Sequence, residues 1–190
     1  VRWDFDGWTA SARELEEPDL DAIARNNLPT GPLLRLLATR RFDLYQDAMP
    51  DLASFEGYAG ETVSVLYQLA AMVLNGGSEV ETGDAAGHLG VAHALVGHLR
   101  AFGYNASSGR IFLPMSIFAA NGVADGEILS GTDCEGLRAA LAQIADLARA
   151  PLDWSRIAVW PGDDRIVDEA HPASNVGRIR ALLAPAGARI

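Results

Sequence analysis

The chain has 190 residues, of which 49% are hydrophobic, and its formal charge is −10 at pH 7. A chain of this length can enclose one sizeable hydrophobic core. Its acidic balance argues against a nucleic-acid partner, because phosphate backbones select surfaces rich in Lys and Arg. Cys134 is the single cysteine, which excludes an intramolecular disulfide. No apolar run approaches the roughly 20 residues that a membrane-spanning helix needs, so no transmembrane segment is predicted.

Helical periodicity is the main pattern of the first 150 residues. Apolar residues recur at spacings of three and four, which predicts an all-α domain. In chain order, the predicted helices are 19–26, one opened by Gly31 and Pro32, 55–74, 84–103, 115–121 and 134–150. Asp84 is expected to cap the fourth of these helices, and residues 105–109 to form a loop. Residues 151–190 show no sustained period, which predicts a loop-rich C-terminal segment with one closing helix at about 176–183.

Two groups of residues contain side chains that can ligate a metal. Asp164 and Asp168 would share one face of a helix, where they could hold one cation. The alternative is a charged, solvated helix start, which the turn signal of the preceding Pro161 favours. The histidines at positions 88, 93 and 98 are five residues apart, so neighbouring rings point about 140° away from each other. We interpret His88 and the small residues Ala85, Ala92 and Gly97 as packing positions instead.

The segment from Ala86 to Pro114 reads AGHLGVAHALVGHLRAFGYNASSGRIFLP. It resembles the second aspartate-rich segment of the squalene/phytoene synthase family, LGxAxQLTNILRDVxEDAxxGRxYLP. The matching positions are Leu89, Gly90, Ala92, Leu95, Leu99, Arg100, Ala106, Gly109, Arg110, Leu113 and Pro114. The acids of the pattern are replaced by Ala101, Tyr104 and Asn105, so no carboxylate remains in the turn.

This resemblance, clearest over residues 27–129, implies an isoprenoid-synthase-like helical domain over residues 1–150. It also implies that the domain is shortened at its N-terminus and altered after residue 150. In the family, Mg²⁺ held by the acids draws diphosphate from a prenyl donor, and hard cations of this kind need oxygen ligands. The replaced acids therefore imply a non-catalytic protein without a cofactor. Arg100, Arg110 and Tyr58 are the candidates for binding an anion or ligand; alternatively, the two arginines lie on a solvated helix end.

A finer similarity, which includes Tyr58, Ala59, Thr62 and Ser64, is to the branch of the family that contains a mitochondrial complex I assembly factor. It implies a role in assembling, or as a subunit of, a respiratory or other membrane-associated complex. This role would be exerted by binding a protein or an isoprenoid-like ligand, in the mitochondrial matrix or in a bacterial cytoplasm. The alternative is a prenyl-diphosphate transferase that uses Mg²⁺ bound by a missing N-terminal part.

The missing helices would leave an apolar groove that a partner could cover. The candidates for its lining are Trp3, Phe5 and Trp8, together with the apolar face of residues 55–74, since aromatic anchors carry much of the free energy of binding. The alternative is that the C-terminal segment covers this groove and completes a monomer.

Overall fold

The computed structural model describes residues 20–82 and 84–149, and all regular secondary structure in these two ranges is helical. This confirms the prediction of an all-α fold. Three predictions lie outside the described residues: the partner surface of Trp3, Phe5 and Trp8, the cation site of Asp164 and Asp168, and the closing helix. The domain boundary at residue 150 stays a prediction.

The helices follow one another with short connections. They are α1 (residues 20–25), α2 (Thr30–Arg40), α3 (Leu52–Ala59), α4 (Val65–Leu74), α5 (Ala85–Arg100), α6 (Phe102–Ser107), α7 (Met115–Ala120), α8 (Asp125–Leu129) and α9 (Glu135–Arg149). A 3₁₀ turn over Arg41–Leu44 extends α2, and a π turn over Gly60–Ser64 joins α3 to α4. None of the helices in the described ranges is both long and apolar enough to cross a membrane.

The helix predicted over 55–74 is present but begins at Leu52 and contains a π turn. Asp51 sets the start, because its carboxylate accepts a hydrogen bond from Ser54 N at 2.8 Å. This bond lowers the pKa of the Asp51 carboxyl below its ordinary value. The predicted end is correct: α4 stops at Leu74, and Gly76 and Gly77 follow with φ of 63° and 84°. Such positive φ angles favour glycine after a helix C-terminus.

The helix predicted over 84–103 differs from the structure at both ends. Asp84 makes no side-chain capping bond, because its backbone is already helical, whereas a capping residue is normally extended. At the other end, α5 stops at Arg100 and a separate helix, α6, follows. The loop predicted over 105–109 is wrong for its first three residues. The backbone stays helical there, as the bond of Asn105 N to Ala101 O at 2.9 Å shows, and the turn ends at Gly109 with φ of 75°.

The core lies where α3, α5, α7 and α9 meet. Its largest fully buried apolar side chains are those of Phe55, Leu95, Leu113, Phe118, Ile128 and Ile144.

Helix α5 and the π turn approach each other closely at Gly90. A Cβ added at Gly90 would lie 2.6 Å from Ser64 N and nearer still to the Cα and Oγ atoms of Ser64. The interpretation of His88, Ala85 and Gly97 as packing positions is wrong, because these residues lie on the exposed side of α5. Of the predicted set only Ala92 is buried.

Candidate functional site

The buried side chain of Tyr58 lies in a polar cluster with Arg40 and Asp43. The Tyr58 hydroxyl donates to Asp43 Oδ1 at 2.6 Å, and it accepts a hydrogen bond from Arg40 Nη1 at 2.9 Å. Arg40 Nη1 also lies 3.1 Å from Asp43 Oδ2. We call these three residues the Tyr58 cluster. Each of them finds its polar partners within the cluster.

The charges within the Tyr58 cluster balance each other, and its polar groups pair with one another. Burial, together with the bond to Asp43, raises the pKa of the Tyr58 phenol well above its ordinary value. The phenol therefore stays protonated near neutral pH and acts as a donor. Arg40 carries one positive charge and Asp43 one negative charge, so the cluster has no net charge. It offers no unbalanced cation to an anionic ligand.

Aromatic rings surround His98 beside this cluster. The imidazole stacks on Phe112 with a centroid distance of 4.9 Å, and it meets Phe55 edge-on at 5.9 Å and Tyr58 at 6.3 Å. Burial lowers the pKa of His98 below its ordinary value. The ring is therefore mainly neutral at pH 7. Its contacts are those of an aromatic packing residue.

The turn between α5 and α6 holds the residues predicted to replace the acids of the family pattern. Ala101 is half-buried there, and Asn105 lies in the last turns of α6. Tyr104 is 77% exposed, and Phe102 stacks on Phe118 with a centroid distance of 5.8 Å. Within residues 20–82 and 84–149, no three His, Cys, Asp or Glu side chains come together as a metal-binding group.

The predicted ligand-binding residues do not share contacts. Arg100 ends α5 and Arg110 follows α6, both exposed, and neither forms an ion pair with an acid in the described part of the chain. The hydroxyl partners of Tyr58 are Arg40 and Asp43 instead. Anion binding by the two exposed arginines therefore stays a prediction.

Sequence reasoning missed the two partners of Tyr58. Arg40 and Asp43 stand three residues apart, which is a recognisable spacing for an ion pair. Their contacts with Tyr58, which lies 18 residues after Arg40 and 15 after Asp43, depend on how α2 packs against α3. No local pattern in the sequence predicts how these two helices pack.

Known proteins resemble this chain in sequence. The assembly factor 6 of NADH dehydrogenase (ubiquinone) complex I from Rattus norvegicus is 33% identical over 152 residues, which cover 80% of this chain and 44% of the relative. The protein of the same name from Homo sapiens is 31% identical over 135 residues, or 71% of this chain and 40% of the relative. This chain thus spans less than half the length of these relatives.

A solved structure and a family profile agree with the fold. Squalene synthase HpnC from Alicyclobacillus acidocaldarius superposes with a TM-score of 0.61 at 22% identity, covering 67% of this chain and 48% of that one. The profile described as squalene/phytoene synthase matches residues 11–181. Because this match covers most of the sequence, the chain belongs to the squalene/phytoene synthase family.

Proposed function

We propose that this chain acts in the assembly of a respiratory NADH dehydrogenase complex, as a family member that binds protein and does not transfer prenyl groups. The observation that carries the proposal is the α5–α6 turn, where Ala101, Tyr104 and Asn105 stand in place of the family's acids. The sequence relatives, whose names describe assembly factors of complex I, support the same role.

The chemistry of the turn argues against prenyl transfer. Mg²⁺ is usually held by one or two carboxylates together with substrate phosphates and water. Ala101 offers no side-chain oxygen, and Asn105 offers a neutral amide. Arg100 and Arg110 each supply one fixed positive charge, which is less than a metal cluster supplies to a departing diphosphate.

The Tyr58 cluster also supports a non-catalytic role. Acid–base catalysis needs a group whose pKa lies near the working pH and whose reactive atom reaches the substrate. The Tyr58 phenol has a raised pKa and already donates to Asp43, while His98 is enclosed by aromatic rings. These residues tie α2, α3 and α5 together, and the proposal needs no metal or organic cofactor.

The proposed role places the chain beside a respiratory membrane, on the matrix side in mitochondria or the cytoplasmic side in bacteria. Its ligand is a protein partner; an isoprenoid-like molecule is the second ligand class that the family suggests. The second candidate function is prenyl-diphosphate transfer, which family membership favours. Its metal ligands would then come from outside the described residues.

Two measurements test the proposal. The purified chain is incubated with farnesyl or geranylgeranyl diphosphate and Mg²⁺, and released diphosphate is counted. In parallel, its gene is deleted in its own organism, and assembled NADH dehydrogenase is quantified on native gels. We expect no diphosphate release above buffer, and a loss of the assembled complex that the wild-type gene restores.

A matched variant sharpens the result. Ala101→Asp combined with Asn105→Asp restores acids to the turn, and we expect it to support assembly as the wild type does. Diphosphate release by the wild-type chain at an ordinary enzymatic rate would contradict a non-catalytic role. A normal level of assembled complex in the deletion strain would contradict the assembly role.

A further inference from the structure

An apolar groove lies between α6, α8 and the start of α9. Its volume is about 340 Å³, within the range of protein binding sites. Phe102, Ile128 and Leu137 are among its apolar lining, and Leu129 stands beside them with 41% of its surface exposed. We call it the α6–α8 groove. Because Ile128 is fully buried and Phe102 stacks on Phe118, the floor of the groove is part of the packed core.

The polar side chains of the groove already have partners. Ser107 Oγ donates to Tyr104 O at 2.8 Å, and Ser130 Oγ donates to Glu127 O at 3.0 Å. Asp133 forms an ion pair with Arg138. Small-molecule sites usually present a few convergent polar groups that fix the ligand. This groove instead suits apolar side chains inserted from another surface.

The segment that supplies Ile128, Leu129 and Leu137 to the groove is acidic. Residues 124–138 contain Asp125, Glu127, Asp133 and Glu135, and one basic residue, Arg138, which pairs with Asp133. Only Asp133 has a basic partner within the described part of the chain. Asp125 and Glu127 accept bonds from the backbone N–H groups of Gly126 and Ala124, which leaves their negative charges unneutralised. The segment that lines one side of the apolar floor thus carries excess negative charge.

We propose that the α6–α8 groove docks a basic amphipathic segment of a protein partner. Apolar side chains of that segment enter the groove, and its Lys or Arg side chains pair with the acidic residues of the segment from Asp125 to Glu135. Charge complementarity selects this occupant over an acidic segment, because like charges across an interface are strongly unfavourable. The inference rests on the proposed protein-binding role and names the surface and the partner chemistry for it.

The chain offers a variant that fills the groove without disturbing its floor. Gly103 lines the groove, and a Cβ added there meets no heavy atom within 4 Å, so Gly103→Phe places a ring into the open space. Gly97→Phe is the matched control, because Gly97 is exposed on α5 and its Cβ position is equally open. Thermal melts of the full chain verify that both variants fold.

The probes are two labelled 18-residue synthetic helices with the same leucine face, one with Lys and one with Glu at the polar positions. Fluorescence anisotropy with the full chain is expected to show binding of the Lys helix that weakens as salt rises. The Glu helix should bind at least about tenfold more weakly. Gly103→Phe should weaken binding of the Lys helix by about tenfold or more, whereas Gly97→Phe should leave it unchanged.

Three results of the anisotropy experiment would overturn the groove proposal: no binding of the Lys helix, equal binding of the two helices, or undiminished binding to Gly103→Phe. The assembly role is judged separately, in cells. If Gly103→Phe abolishes helix binding and still supports full assembly of the complex, the groove is not the partner surface and the assembly role stands. If deletion of the whole gene leaves assembly intact, the role itself is wrong.

Discussion

Helices α5 and α2 are attached to the rest of the structure in different ways. α5 buries Ala86, Gly90, Ala92, Ala94 and Leu95, whereas α2 has no buried residue. On α2, Leu34 and Leu37 are 65% and 64% exposed.

Polar links join α2 to its neighbours, in addition to the half-buried Leu33 and Leu36. Arg35 Nε lies 3.2 Å from Glu61 Oε2 of the π turn, and the Tyr58 cluster joins the end of α2 to α3. The free energy of unfolding should therefore depend strongly on side-chain volume in α5, because the neighbours of α5 are already in contact with it. Substitutions in α2 should lower the free energy of unfolding mainly where they remove one of its polar links.

The largest effect is expected in the core that α5 covers. Phe55 is fully buried, so Phe55→Ala should lower the free energy of unfolding by about 3–5 kcal/mol. Leu37→Ala, on the exposed face of α2, is the contrasting variant and should change it by less than about 0.5 kcal/mol. Urea unfolding of both variants measures the difference. Similar losses for the two would mean that α2 is buried in the folded protein.

The next effect probes the contact between α5 and the π turn. Gly90→Ala forces a methyl group against the backbone of Ser64, and we expect a loss of about 1–3 kcal/mol from overpacking. Gly87→Ala is the control, because its Cβ position on the same helix is open. It should stabilise the protein by about 0.5–1 kcal/mol, since alanine restricts the unfolded chain more than glycine does. A harmless Gly90→Ala would show that the helices separate easily.

A smaller effect is expected from the polar attachment of α2. Tyr58→Phe removes the hydroxyl that bonds Asp43 and Arg40, and the free energy of unfolding should fall by about 1–2 kcal/mol. Tyr104→Phe, at an exposed position, should be nearly neutral. Chemical denaturation compares the two substitutions. An unchanged Tyr58→Phe protein would mean that the two hydrogen bonds of the Tyr58 hydroxyl contribute nothing to the attachment of α2.

The smallest expected effect is the contribution of His98 to the pH dependence of the free energy of unfolding. Its pKa is lower in the folded chain than the ordinary value of 6.5, so below about that pH the unfolded chain binds the proton first. The stability contribution is present above pH 6.5 and is lost as the pH falls from there through the folded pKa. The urea midpoint should therefore fall more between pH 7.5 and pH 5.5 for the wild type than for His98→Gln. Equal drops would assign the acid sensitivity to other groups.

Much of the fold could be predicted from the sequence, because α7 and α9 follow apolar periodicity and α4 ends at two glycines. The all-α fold and the family follow from the register of the Ala86–Pro114 segment. The π turn could not be predicted, since no residue type in Gly60–Ser64 marks the extra residue. The break at Ala101 and the helical continuation through Asn105 also depend on tertiary contacts.

The candidate site could be predicted only in part. The resemblance identified Tyr58 and the replaced acids, because those residues lie within a motif. It gave no signal for Arg40, Asp43 or the enclosure of His98 by Phe55 and Phe112. These contacts join residues of separate helices, so their geometry is fixed only when α2, α3 and α5 pack together.

The π turn also sets the rotational phase between the two halves of the helix that runs from Leu52 to Leu74. Val65 N bonds to Gly60 O, five residues back, so this turn holds one residue more than an α-helical turn. Deleting one residue there would convert the turn into a regular α-helical one, so α4 would keep its orientation and the buried Leu69 would stay against the core. In an alignment of relatives, a one-residue gap at Gly60–Ser64 therefore signals loss of the π turn, with the same face of α4 still buried.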